Sequence, residues 1–175
     1  IVVPGSGAVD DLAGGFVPVE ALEHERAADA VAAQPHRLGA LFDPDTGVVR
    51  VVRYFVVDDV GTMINPAILK GQIHGGVAQG VGQVLMEQVA YDRDSGQLLS
   101  GSFMDYAMPR AADVCGFEIG HNPVPTQLNP LGAKGAGEAG TVGALAAAMN
   151  AIVDAIGTNL DMPATPDRVW RALNG

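Results

Sequence analysis

Val48-Val-Arg-Val-Val-Arg-Tyr-Phe-Val-Val-Asp58 is followed, past the breakers Gly61, Asn65 and Pro66, by a segment in which Ile73, Val77, Val81, Leu85 and Val89 recur every fourth residue. The first run is rich in β-branched residues and mostly apolar on both alternating faces. It predicts a buried strand. The second pattern predicts a helix over 67–90. Gly75, Gly76, Gly80 and Gly82 lie inside that helix. Each costs ~0.5–1 kcal/mol against Ala in a helix interior, so one edge should pack closely against another backbone or a ligand. The expected fold class is α+β, a mixed sheet with packed helices.

Working outward, two turns share the pattern Asp-x-Asp-[Thr/Ser]-Gly: Asp43–Gly47 and Asp92–Gly96. The pattern resembles the opening of a calcium loop. The twelfth positions are Tyr54 and Phe103, which cannot supply the closing carboxylate. Both are read as hairpin turns. Residues 38–42 are a short strand candidate, and residues 115–120 another. Residues 20–33 are strong helix formers ended by Pro35, and residues 1–19 read as loop or weak strand. The tail carries a short helix with Thr165 as N-cap and Pro166 as its first residue. The resulting division is an N-terminal segment, 1–40, and a lobe, 41–175.

Asn129-Pro-Leu-Gly-Ala-Lys-Gly-Ala-Gly-Glu-Ala-Gly140 closes a long proline-containing loop and opens an apolar helix predicted over about 139–156. Glycine lets the backbone approach a ligand closely. A helix start offers unpaired N–H groups to an anion. Glu138 sits where the two meet, a position suited to a catalytic base. A carboxylate favoured by the helix dipole would also be found there. Gly135-Ala-Gly-Glu-Ala-Gly140 matches G-x-G-x-x-G literally, but a dinucleotide fold needs an apolar strand just before it, and two prolines stand there instead.

Composition narrows the function. The 175 residues are 48% hydrophobic with a formal net charge of −10. Basic residues are scattered, which argues against nucleic acid and anionic membrane surfaces as partners. One cysteine, Cys115, excludes an internal disulfide and any zinc or iron–sulfur site built on cysteines of this chain. It is read as a structural buried thiol, and a cytoplasmic location fits. No metal site is expected: the four histidines, His24, His36, His74 and His121, lack ligand spacing, and His74 is read as a packing histidine. No apolar run is expected to reach a membrane span. The first residue is not Met and the start is no signal peptide, so the chain is read as processed, trimmed or part of something longer.

Several of these stretches together resemble the molybdenum hydroxylase family: xanthine dehydrogenases, aldehyde oxidoreductases and aerobic carbon monoxide dehydrogenases. The resemblance rests on residues 57–66, 71–83, 101–110, 129–140 and 161–170, in order, from about residue 43 to the end. It implies the C-terminal lobe of the molybdopterin-binding large subunit. In that family the glutamate matching Glu138 is the base, taking a proton from a molybdenum-bound hydroxide that attacks the substrate carbon. By the same resemblance Gln79 contacts the pterin, Gly80 and Gly82 let their backbone approach it, and Gly135 and Gly137 do so near the metal. The implied cofactor is molybdopterin, in its cytosine dinucleotide form, with molybdenum in the complete enzyme. The implied substrate is an aldehyde, an N-heterocycle or carbon monoxide. The implied partners are the remainder of the large subunit and iron–sulfur and FAD subunits. The family's first molybdenum lobe has no counterpart here, and residues 1–40 do not match. The strand before the Asp43 turn is short, with only Arg37–Phe42 available. A non-catalytic interaction module that keeps the fold is the competing expectation. The glycine edge of the 71–90 helix is expected to pack on the 129–140 loop.

Overall fold

The computed structural model describes residues 17–21 and 36–175. Four strands form one mixed sheet in the order β1 (Val17–Ala21), β2 (His36–Phe42), β3 (Val49–Asp58) and β4 (Phe117–His121). β1–β2 and β2–β3 are antiparallel, and β4 lies parallel to β3. The parallel pair requires a crossover. It is made through α1 (Pro66–Leu85) and the irregular segment after it. Helices α2 (Ala139–Ile156) and α3 (Pro166–Asn174) complete the fold. The class is α+β, as the sequence predicts.

The sheet departs from expectation at its N-terminal side. Glu20 and Ala21, the first residues of the predicted 20–33 helix, pair with Gly39 and Leu38 as part of β1. The rest of that helix lies outside the described residues. Helix propensity at these two positions yields to ladder bonds with β2, which would otherwise be an open edge. The short Arg37–Phe42 strand is thus an inner strand starting at His36.

β3 alternates rather than being buried on both faces. Val51, Tyr54, Val56 and Asp58 are buried, and the residues between them are partly exposed or exposed. The buried face meets α1 and α2, whose Ile73, Val77, Val81, Ala144, Ala148 and Ile152 share one core with Leu38, Phe42 and Tyr54. Asn65 caps α1 by accepting the Ile68 N–H at 3.1 Å, with Pro66 at its first turn. α1 ends at Leu85, short of the predicted residue 90. The carbonyl of Val84 takes the N–H of Ala164, and Glu87 takes the Tyr106 hydroxyl at 2.6 Å. These tertiary bonds replace the next helical turn, so Val89 keeps helical spacing yet is 57% exposed.

The Asp43 and Asp92 turns form as predicted. Each aspartate accepts bonds from residues two or three places on, and Gly47 and Gly96 both stand at φ 71°. Helix α2 runs over the predicted 139–156 and closes on Gly157 at φ 69°. Its 18 residues, at mean hydropathy 1.5, reach the length and apolarity of a membrane span, contrary to expectation. The run is dominated by alanine and glycine, and its buried face packs on α1 and the sheet.

Candidate functional site

The Gly-rich loop is shaped by its own first residue. Asn129 accepts the N–H groups of Leu131 (3.1 Å) and Ala133 (3.3 Å), and its amide donates to the Ala133 carbonyl (2.8 Å). Gly132, at φ 66°, presents its carbonyl to the N–H groups of Thr62 (2.9 Å) and Thr126 (3.1 Å). Lys134 donates its N–H to Val60 at 2.9 Å, and its ammonium reaches Asp59 Oδ2 at 2.5 Å. Asp59 Oδ1 accepts the N–H groups of Gly61 and Val124, both at 2.9 Å. The Lys134 bond, followed by the two amide bonds, pulls the Asp59 carboxyl down to about 2. Sequence reading singled out neither Asp59 nor Lys134. The tandem Asp58-Asp59 inside one motif and the single lysine inside the other were the available signal.

Beyond Lys134 the loop opens. No atom stands within 4 Å of where a Cβ would sit on Gly135 or Gly137. Glu138 occupies the N-cap position of α2, is exposed, and makes no side-chain cap hydrogen bond. Its backbone carbonyl accepts the N–H groups of Thr141 and Val142. The carboxylate at the helix start is therefore not consumed by capping. Gly135, Gly137 and Glu138 form a contiguous open edge that a ligand could cover.

The α1 glycines behave differently. A Cβ on Gly76 would meet the Thr141 N at 2.9 Å, and one on Gly80 would meet the Ala144 Cβ at 2.5 Å. Gly140 lies against the Ile73 carbonyl and the Val77 N. The Thr141 hydroxyl donates to the Gly76 carbonyl at 3.1 Å. The glycine edge thus packs on the first two turns of α2, and the 129–137 stretch lies on the β3–α1 connection instead. Gly82 faces Pro109 and Glu87. What Gly80 and Gly82 can offer a ligand is backbone atoms, since protein fills the space where their side chains would be. Gln79 is exposed on α1.

His36 of β2 and Asp58 of β3 are buried polar groups of the sheet. His36, 4% exposed, bonds the Tyr54 hydroxyl through Nδ1 at 2.5 Å, and its ring occupies the space over Gly143 of α2. Burial pulls its imidazolium down to about 4, with the Ala139 backbone acting weakly the other way. Asp58 is fully buried, and burial pushes its carboxyl up against the opposing influence of His121. His74 packs edge-on to Phe117 at 5.2 Å, the packing role read from sequence. Among the described residues no three His, Cys, Asp or Glu side chains converge on one point. A cleft of about 610 Å³ lined by Val49, Val51, Leu85 and Val114 involves none of the site residues.

The His36 environment predicts a pH effect. The fold holds this imidazole neutral, so the unfolded chain binds its proton first as pH falls. Stability from neutral His36 is fully present above about 6.5 and is lost as pH drops towards about 4. The loss amounts to about 3 kcal/mol. Asp58 acts in the opposite direction, since a raised carboxyl favours the fold on acidification. The variant His36→Phe isolates the histidine: its denaturation midpoint should fall less than the parent's between pH 6.5 and 4. Parallel pH profiles would show that His36 titrates normally.

Residues 35–115 match the family model described as molybdopterin cofactor-binding domain. The large subunit of nicotine 6-hydroxylase from Paenarthrobacter nicotinovorans is 45% identical over 144 residues, covering 80% of this chain and 18% of that one. The large chain of carbon monoxide dehydrogenase from Hydrogenophaga pseudoflava is 41% identical over 75% of this chain and 17% of its own length. The crystal structure of quinoline 2-oxidoreductase from Pseudomonas putida 86 superposes with a TM-score of 0.76 at 40% identity, over 81% of this chain and 18% of that one. The chain thus spans under a fifth of the length of these relatives.

Proposed function

The chain belongs to the molybdenum hydroxylase family, and from that premise we propose that it forms one wall of a molybdopterin site and supplies its base, Glu138. The observation that carries this reading is the free carboxylate of Glu138, exposed at the start of α2 and flanked by glycines with nothing beside them. The open edge could cover a large ligand on one side only. Residues 41–175 are the lobe proper, and the 1–40 segment lends β1 and most of β2 to its sheet. Gly135 and Gly137 let the loop backbone approach the cofactor, Gln79 contacts the pterin, and Gly80 and Gly82 contribute main-chain atoms. When bound, the cofactor, molybdopterin in its cytosine dinucleotide form, supplies a molybdenum centre that takes up the electrons of the oxidation. Glu138 holds the proton released from the attacking group.

The substrate is an aldehyde, an N-heterocycle or carbon monoxide. The remainder of the large subunit closes the site, iron–sulfur and FAD subunits carry the electrons away, and the assembly is cytoplasmic. A ligand site needs polar groups converging from more than one side. The 175-residue chain purified alone is therefore expected to hold little molybdenum or pterin and to be inactive. Co-production with the missing part of the large subunit should restore both. Stoichiometric molybdenum in the chain alone would contradict the one-wall reading. A complex that assembles without recovering cofactor would favour an interaction module that keeps the fold and has lost the chemistry.

A further inference from the structure

We infer that Asp59, acting through Lys134, is the positioning residue that fixes the path of Gly135–Glu138 and so the place of the Glu138 carboxylate. The inference rests on Glu138 being the base. Asp59 is 7% exposed in its side chain, and three segments of the chain meet on its one carboxylate. They are its own β3–α1 turn through the Gly61 N–H, the 122–126 stretch through the Val124 N–H, and the Gly-rich loop through the Lys134 ammonium. Backbone bonds from Thr62 to Gly132 and from Lys134 to Val60 lay the loop alongside the turn. The next firm anchor is Gly140, lodged against the Ile73 carbonyl of α1. Between the two anchors Ala136 packs against the core and Ala139, at the start of α2, is buried, while a Cβ on Gly135 or Gly137 would meet nothing within 4 Å. Two glycines impose no path of their own. The place of Glu138 is therefore set from α2 on one side and from Lys134 on the other. The Asp59–Lys134 pair is the charged contact on that second side, formed between residues 75 positions apart.

The two oxygens of Asp59 separate positioning from plain structure. Asp59→Asn can keep the acceptor for Gly61 and Val124 and loses the anion facing Lys134. Lys134→Met removes the cation and leaves the amide bonds of Asp59 in place. Lys134→Arg keeps the charge. The measurement is hydrogen exchange of the full chain, read in 132–141 and separately at the Gly61 and Val124 amides, together with steady-state kinetics and molybdenum content of the assembled enzyme. In Asp59→Asn and in Lys134→Met, protection should be lost in 132–141, and with it at Thr62 and Thr126, whose N–H groups bond the Gly132 carbonyl, and kept at Gly61 and Val124. Turnover should fall about 10- to 100-fold, as expected for a misplaced catalytic group, with KM roughly unchanged and molybdenum retained. The double variant should be no worse than either single one, since both break the same contact. Lys134→Arg should restore most of the turnover. Loss of protection at Gly61 and Val124 as well would make Asp59 a structural pin and overturn the inference. So would unchanged exchange in 132–141. A loosened loop with normal turnover also overturns it if Glu138→Gln abolishes activity. If Glu138→Gln is equally active, the base assignment has failed instead, and the loosened loop still supports Asp59 as the residue that sets the path.

Discussion

In the assembled enzyme Glu138→Gln is expected to cut turnover by ~10²–10⁴-fold, the range typical of losing a general base, with the molybdenum cofactor still bound. The substitution is close to isosteric. It keeps a hydrogen-bonding group at the start of α2 and removes only the capacity to hold a proton. The cost to the fold should be small because the Glu138 side chain makes no cap hydrogen bond there. Its backbone carbonyl, which accepts from Thr141 and Val142, is untouched by the change. The loss should therefore appear in kcat and kcat/KM together, with thermal stability near that of the parent. Metal and pterin content measured on the same preparation separates two failures. Near-normal turnover would remove Glu138 from the chemistry. Loss of cofactor along with activity would show that the carboxylate serves binding, as a helix-start anion or a ligand contact.

The parts of this molecule that could be read from sequence are those set by short-range pattern. The i, i+4 run of Ile73, Val77, Val81 and Leu85 describes the buried face of α1, and the Asp43 and Asp92 turns are written in their own side chains. The bounds of α2 follow from Glu138 at one end and Gly157 at the other. What escaped is long-range. β1 exists through pairing with β2, which local propensity at Glu20 and Ala21 does not announce. His36 and Tyr54 meet across the β2–β3 pair, and Asp59 finds Lys134 through tertiary placement alone. Glycine was the most ambiguous letter. Composition says that a side chain is missing and not whether protein or ligand uses the room. At Gly80 and Gly82 protein fills it, whereas at Gly135 and Gly137 the space is open.

That ambiguity yields the largest expected change in stability. Gly140→Ala should destabilise the full chain by about 3 kcal/mol, the upper part of the usual range for overpacking. The added methyl would fall on the Ile73 carbonyl, with the Val77 N at 2.9 Å and the Ile73 carbonyl carbon at 3.1 Å. These are backbone atoms of α1, and no side-chain rotation relieves the overlap. The helices must separate, and their contact is central to the core. Gly75→Ala is the matching control, in the same helix pair but with nothing within 4 Å of the new methyl. It should stabilise by ~0.5–1 kcal/mol, because Ala loses less backbone entropy than Gly in a helix interior. Chemical denaturation of the two variants should therefore move the midpoint in opposite directions. A Gly140→Ala midpoint close to the parent's would mean that α1 and α2 lie further apart than this close approach requires. A destabilised Gly75→Ala would mean that its open edge is covered in solution. The same overlap reaches the chemistry, because Gly140 is two residues from Glu138. A helix start displaced to admit one methyl group carries the carboxylate with it, so any Gly140→Ala protein that assembles should combine lower stability with lower turnover at an intact Glu138.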